Sequence, residues 1–379
     1  MTASISGTTG VTFPDTSVQP IAAGSYTMGF KNRIINGAMV IDQRNAGAEA
    51  NPAVNNTYYL DRWRVVSSAA SKFKIGQNAG SVTPPTGFSN YLGCTSLSAY
   101  TAGAAESFDV RQAIEGYNIV DLAWGTASAA TVTLSFWVRS SGLATYPATF
   151  GGSLRNNGGA RSYPFTYTIN SASTWEQKTV TIAGDTSGTW QTTTDNGIIV
   201  TFSLGSGATF SGTAGAWAAA NYVTATGAVS VVGTNGATLY ITGVQLEKGS
   251  TATSFDVRPY TTELQLCQRY YYKVEDTSNA ITLAGFATST TAASFFNNFP
   301  VTMRETPTAL EQTGTAANYR VQGAGNATTV CSAVPSFSSA TENQARTIFT
   351  VASGLTAYNS GVGSPASGVT AYLGWSAEL

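Results

Sequence analysis

The chain has 379 residues, 42% of them hydrophobic, which is long and apolar enough for one large domain plus a smaller one. Only 10% are charged, against roughly 25% in ordinary soluble domains, and the net charge is −1 with no histidine. This balance provides no basic surface for nucleic acid or an anionic membrane. The missing imidazole excludes a Ser-His-Asp triad, a Cys-His dyad and any histidine-containing zinc site within the chain. Carboxylate-only catalysis is the acid–base chemistry left to weigh.

Residues 1–29 read as an extended arm: Thr, Ser and Gly dominate, and the apolar residues are scattered singly. Phe13, Val18 and Ile21 are its candidate anchors against another chain. The stretch Lys31–Gly47 joins a polar, glycine-turned segment to the apolar run Met39-Val40-Ile41, and is expected to be a first β-strand with its turns. Its basic residues Lys31, Arg33 and Arg44 are expected at a surface or interface. Neither a basic, apolar-cored leader nor a run approaching about 18 apolar residues occurs. The expectation is a protein made in a cytoplasm and not exported by its own signal, with no membrane insertion.

From about 30 to 259 the pattern is β. In residues 131–138, Val132, Leu134, Phe136 and Val138 alternate onto one face. Strands are also expected over 176–182, 197–204 and 237–246, with turns at Asn156–Gly159, Asp195–Gly197 and Thr234–Gly236. A short helix is expected over 262–271, with Leu264, Cys267 and Tyr271 on one face and Thr261 or Thr262 as cap. A second β series follows, over 281–283, 293–299, 320–321, 346–351 and 370–375. The fold class is therefore all-β, a jelly-roll β-sandwich followed by a smaller C-terminal β-sandwich, after an extended N-terminal arm. The domains are drawn at 1–29, 30–259 and 260–379. No fixed repeat suggests a fibrous shaft.

Several ordered motifs resemble bacteriophage tail-fibre and related virion proteins that carry a jelly-roll domain similar to carbohydrate-binding modules. They are Gly10-Val11-Thr12-Phe13-Pro14-Asp15, Tyr59-Leu60-Asp61-Arg62-Trp63, Arg111-Gln112-Ala113-Ile114-Glu115 and Ile241-Thr242-Gly243-Val244-Gln245-Leu246-Glu247. Phe299–Arg304 and Tyr372–Leu379 resemble the C-terminal domain of phage fibres. The resemblance implies a virion location, attachment to other virion proteins through the arm, a homotrimer, and host adsorption by binding surface polysaccharide.

Among possible sites, Trp190, Trp217 and Tyr222 sit in Gly-, Thr- and Ala-rich stretches outside the alternating strands. A sugar's C–H face packs on an indole or phenol, and nearby amides bond its hydroxyls. Gln191, Asn196 and Asn221 are the candidate amides. Trp137 and Trp175, in or beside strands, read as core. Asp61-Arg62-Trp63-Arg64 reads as an ion-paired structural cluster. Glu106, Asp109, Arg111 and Glu115 form a second charge cluster, with Asp109 and Arg111 on one strand face. None of the carboxylates forms a hydrolase pattern, so no enzymatic activity, catalytic residue or cofactor is expected. Asp185, Asp195 and Asp256 are isolated, which argues against calcium. Cys94, Cys267 and Cys331 lack CxxC spacing and read as buried thiols. The Asn-x-Thr triplets at Asn55 and Asn326 read as chance matches. The alternatives to a tail fibre are a head, collar or baseplate decoration that binds no sugar, and a polysaccharide-degrading fibre.

Overall fold

The computed structural model describes residues 4–6, 10–12, 18–19, 30–53, 57–276, 283–323, 327–365 and 371–379. Phe13, Ile21, Asn55 and Asn326 lie outside them. Within the arm, β1 (Ser4–Ser6), β2 (Gly10–Thr12) and β3 (Val18–Gln19) form a small antiparallel sheet in which Val18 pairs with Thr12.

Strands alternating inward and outward dominate the next part. They are β4 (Thr57–Leu60), β5 (Trp63–Ser67), β6 (Phe73–Gln77), β7 (Leu92–Ser96), β8 (Ser107–Glu115), β9 (Val132–Ser141) and β10 (Ala148–Arg155). They continue with β11 (Ser162–Ile169), β12 (Glu176–Ile182), β13 (Asn196–Ser206), the short parallel pair β14 (Ser211–Gly212) and β15 (Thr224–Ala225), and β16 (Thr238–Lys248). A six-stranded sheet, β11-β10-β13-β8-β5-β4, faces a five-stranded sheet, β12-β9-β16-β7-β6. This is the jelly-roll-like sandwich. Val132, Leu134, Phe136 and Val138 are all fully buried between the sheets, with Trp63, Phe108, Phe150 and Phe202 opposite. Strand β16 bulges between Thr242 and Gln245. There Gly243 has φ +58, and a Cβ would strike the Phe88 ring at 2.6 Å, so glycine is required.

The segment expected as the first strand is not one. Asn36 and Met39 take left-handed backbone angles (φ 57 and 59), which breaks the extended run. Amide side chains stand in for a partner strand: Asn36 bonds both the carbonyl and N–H of Ile41, and Gln112 does the same for Ile35. The apolar side chains Ile34, Met39 and Ile41 are still buried. The apolar pattern of this segment predicts its burial, but not its conformation.

The helix α1 spans Tyr260–Gln268, two residues earlier than expected, with Pro259 as N-cap and no side-chain cap from Thr261 or Thr262. Proline's fixed φ suits the entry to a helix, so the threonines fall inside the first turn. Then come β17 (Tyr271–Asp276), β18 (Leu283–Ala287), β19 (Ala292–Asn298), β20 (Glu311–Gln312), β21 (Tyr319–Gln322), β22 (Thr328–Ala340), β23 (Gln344–Val351), β24 (Ser360–Pro365) and β25 (Ala371–Ser376). Strands β18-β19-β23-β22-β21-β24 close into a barrel around Phe295, Phe349 and Tyr319, and β17-β25-β20 form a sheet beside it. Most of the region expected as a second sandwich is thus a barrel, whose six strands lose their sheet edges by closure, while β17-β25-β20 stays an open sheet. The sequence reading missed β22 and β24, whose Ser, Gly and Pro content hides any alternation.

Buried charge ties the C-terminus to the sandwich. Arg62, 1% exposed, lies 3.5 Å from the Tyr270 ring centroid, donates to the Ala113 carbonyl at 2.5 Å, and pairs with Glu378. Its partner is therefore at the far end of the chain and not the adjacent Asp61. Glu115 accepts from Arg269 (2.6 and 2.9 Å) and from the Tyr270 hydroxyl (2.6 Å). Arg44 stacks 3.6 Å from the Tyr271 ring centroid and reaches Glu378 at 3.5 Å. All three cysteines are free and buried, and burial raises each thiol's pKa, that of Cys331 to about 12.

Glu378→Ala should lower stability by about 3 kcal/mol in urea unfolding, because it leaves Arg62 buried and uncompensated. A change below about 0.5 kcal/mol would show the clasp to be dispensable. Burial also pushes the Asp61 carboxyl up to about 7, against the opposing pull of Arg44 and the Gln43 hydrogen bonds. Since the folded value exceeds the unfolded one, stability is lost as pH rises from about 4 through about 7. Asp61→Asn should flatten that slope in melting curves at a series of pH values.

Candidate functional site

The predicted aromatic and amide residues gather at one end of the sandwich, around the β10–β11 turn. Trp124, Trp190 and Trp217 pack mutually edge-to-face, with centroids 4.6, 5.4 and 5.5 Å apart, and Tyr163 joins Trp217 at 5.3 Å. Each indole N–H is used within the fold: Trp124 donates to Ala130 O (2.7 Å), Trp190 to Ser187 O (3.2 Å) and Trp217 to Ala183 O (2.8 Å). The neighbouring loop is held by a two-pronged Arg161–Asp185 pair at 2.6 and 2.7 Å.

This geometry revises the candidates. Trp190 is only 6% exposed, which leaves no ring face for a sugar. Trp217 is half-buried, while Trp137 and Trp175, read as core, are also half-buried. The alternation that buries Phe136 and Val138 obliges Trp137 to face outward. Asn221 is exposed but accepts from Arg155 at 2.5 Å, and Asn196 donates to Asn157 at 3.4 Å. Tyr222 lies against Gly212, and its N–H donates to Ser162 Oγ. Gln191 contributes its backbone carbonyl, packed on Gly116.

Arg155 belongs to a polar outer face of the six-stranded sheet, with the Asp109–Arg111 pair (2.6 Å twice). It is 4% exposed, and its guanidinium pKa falls to about 9, through burial first and then the nearby Arg111. The segment carrying Thr224 lies against Gly151 on that face. The other carboxylates of that sequence cluster are engaged too: Glu106 takes the Tyr100 hydroxyl at 2.9 Å, and Glu115 takes Arg269. Among the described residues no group of three His, Cys, Asp or Glu side chains is placed to hold a metal.

A cavity of about 500 Å³ lies elsewhere and is lined by Phe30, Asn32, Arg33, Ile35, Tyr117, Asn118, Val120, Asp121, Arg258 and Leu266. Phe30 and Tyr117 are each 59% exposed and Val120 52%. Between them Arg33 donates to Asp121 at 2.8 Å and to the Asn118 carbonyl. Asp121 is held below the usual carboxylate range by Arg33 and Lys248, despite partial burial. Arg258 lies 5.0 Å from the Phe30 ring centroid. The cleft thus offers two exposed rings, a neutralised ion pair and the exposed amide of Asn118, while Asn32 is buried and bonded to Ile34, Val244 and Leu246.

The indole cluster adjoins one wall of this cleft in the chain. The wall runs 116–122 as two tight turns whose inner residues Ile119 and Leu122 enter the core. Trp124 follows directly, so the three indoles clamp the end of the wall. At its start, the Gly116 and Tyr117 N–H groups donate to Asp195 O and Thr193 O. A Cβ on Gly116 would meet the Gln191 carbonyl at 2.5 Å. The sequence signal that was available is Tyr117 in a Gly-Tyr-Asn turn beside a charged, apolar-flanked Asp121.

Neither a protein-family model nor a curated protein matches the chain. Among solved structures it is similar to the enzymatically active domain of bacteriophage CBA120 tailspike protein 4, at 11% identity over 58% of this chain and 22% of that one, TM-score 0.29. It is similar to a family 11 carbohydrate-binding module of Clostridium thermocellum, at 15% identity over 53% and 99%, TM-score 0.26. It is also similar to a xylan-binding CBM22-1 domain from Paenibacillus barcinonensis, at 10% identity over 55% and 99%, TM-score 0.24. The chain spans about a fifth of the tailspike domain's length. Likeness this remote carries no function with it.

Trp190→Ala should cost about 3–5 kcal/mol in urea unfolding, as large buried aromatics do, whereas Tyr117→Ala should stay within about 0.5 kcal/mol. A neutral Trp190→Ala would remove the indole cluster from its supporting role.

Proposed function

We propose that this protein is a phage virion component, a tail fibre that adsorbs to the host by binding cell-surface carbohydrate without cleaving it. The observation that carries the binding part is the 500 Å³ cleft with Phe30 and Tyr117 exposed at its rim. Sugar rings pair an apolar C–H face with a rim of hydroxyls, and aromatic rings beside amides and charged groups complement both. Because Arg33 and Asp121 neutralise one another, the cleft favours an uncharged sugar. The two can serve as donor and acceptor for neighbouring hydroxyls.

The virion part rests on the ordered motifs along the chain and on the low charge of a Thr-, Ser- and Asn-rich, strand-dense molecule. In this reading the arm joins other virion proteins, three copies assemble, and the particle is the site of action. A decoration protein that binds no sugar is the competing role.

Tyr117→Ala and Phe30→Ala should each weaken binding to host envelope polysaccharide about ten-fold, the loss of one stacking contact. Affinity electrophoresis of the folded variants measures this, and unchanged retardation of both would remove the cleft from the reading. Particles assembled with the double variant should form normally yet adsorb poorly. Reducing ends released from the polysaccharide by the purified protein would overturn the non-enzymatic part.

A further inference from the structure

The outer face of the barrel carries a second aromatic surface, separate from the cleft. In β19 the alternation sends Phe295 into the barrel core and Phe296 outward. Phe286 on β18 also faces out, with the two rings 6.3 Å apart and tilted by 32°. They are 36% and 39% exposed. Two neighbouring large apolar rings on a solvent-facing sheet lose free energy to water unless something covers them.

On the next strand, β23 places Arg346 directly opposite Phe296. Its Nε and Nη2 donate to Ser294 Oγ at 3.1 and 2.8 Å, and Ser294 is 1% exposed. A buried hydroxyl thus fixes one edge of the guanidinium. A guanidinium has five N–H groups in a rigid fork, so the edge formed by Nη1 and Nη2 stays available. Ion pairs among the described residues engage Arg33, Arg44, Arg62, Arg111, Arg161, Arg258, Arg269 and Arg304, and none of them engages Arg346. A cavity of about 230 Å³ opens here between Phe296, Arg346, Gln344, Ser339 and Thr341. It has room for a single sugar ring.

We propose that this face is a second carbohydrate subsite that selects a carboxylate-bearing sugar. The ring's C–H face lies on Phe296, Phe286 extends the platform to the adjoining residue, and the free edge of Arg346 takes the carboxylate in a two-point contact. Gln344, Ser339 and Thr341 face the remaining hydroxyls. The charge logic is opposite to that of the cleft, where arginine and carboxylate already satisfy each other. The inference shares with the reading above only the class of ligand and stands on different residues.

The test titrates the full chain with a tetrasaccharide alternating glucuronic acid and N-acetylglucosamine, and with the same oligosaccharide after carboxyl reduction. The acidic form should bind the wild type about ten-fold more tightly or better, the worth of a charge-assisted contact. Arg346→Gln should abolish that preference while leaving the reduced form's affinity unchanged, and Phe296→Ala should weaken both. Arg346→Lys keeps the charge but loses the fork, and should restore only part of the preference. Equal affinity for the two forms overturns the proposal, as does no binding of either. It also fails if Tyr117→Ala alone removes all binding, in which case the cleft stands as the sole site. If Phe296→Ala instead dissociates an oligomer and leaves sugar affinity intact, the face joins copies of the chain and the subsite is refuted.

Discussion

The guanidinium of Arg62 is the point on which the assembly of this chain turns. It is buried against the Tyr270 ring, bonded to a β8 carbonyl and paired with Glu378. One side chain therefore joins the sandwich, the short link between helix and β17, and the last residues of the chain. A charge so deeply buried is tolerable only when it is paired, and here both terminal nitrogens are bonded while Nε has no hydrogen-bond partner. Glu115 repeats the device through Arg269 and Tyr270, and Arg44 through Tyr271 and Glu378. In a chain with few charges, many are thus spent inside, at the joins between sheets, and the surface is left to hydroxyls and amides.

That arrangement places both candidate binding surfaces on rigid supports. The cleft wall at 116–122 is anchored by core residues at Ile119 and Leu122 and by the three-indole cluster that follows. The Arg346 fork is held by a hydroxyl inside the barrel surface. Preorganisation of this kind reduces the ordering cost of binding a flexible polysaccharide. It also explains why the tryptophans best placed by sequence to meet a sugar serve instead as scaffold.

Much of the fold was legible. The run Val132 to Val138 declared both its strand and its buried face, and the turn-bounded strands of the sandwich followed the same period. The first expected strand failed because Asn36 and Met39 adopt left-handed angles, and because Asn36 and Gln112 supply hydrogen bonds that a sheet would otherwise provide. The site was less legible. Trp190 lies in a Gly- and Thr-rich loop, a local composition that says surface, but the loop folds back over the end of the sandwich.

Composition and period-two patterning by themselves determined the all-β class, the absence of histidine chemistry and the inward faces of the principal strands, since these depend only on residue type and local spacing. Tertiary structure alone decided which aromatics are exposed, because exposure depends on what packs above a ring. It decided that Arg62 meets Glu378 across 316 positions of chain, and that the second sheet closes into a barrel, since strand pairing is non-local. It also brought Phe30 and Tyr117 to one cavity, and Phe296 beside Arg346. Those two meetings are where the binding hypotheses rest.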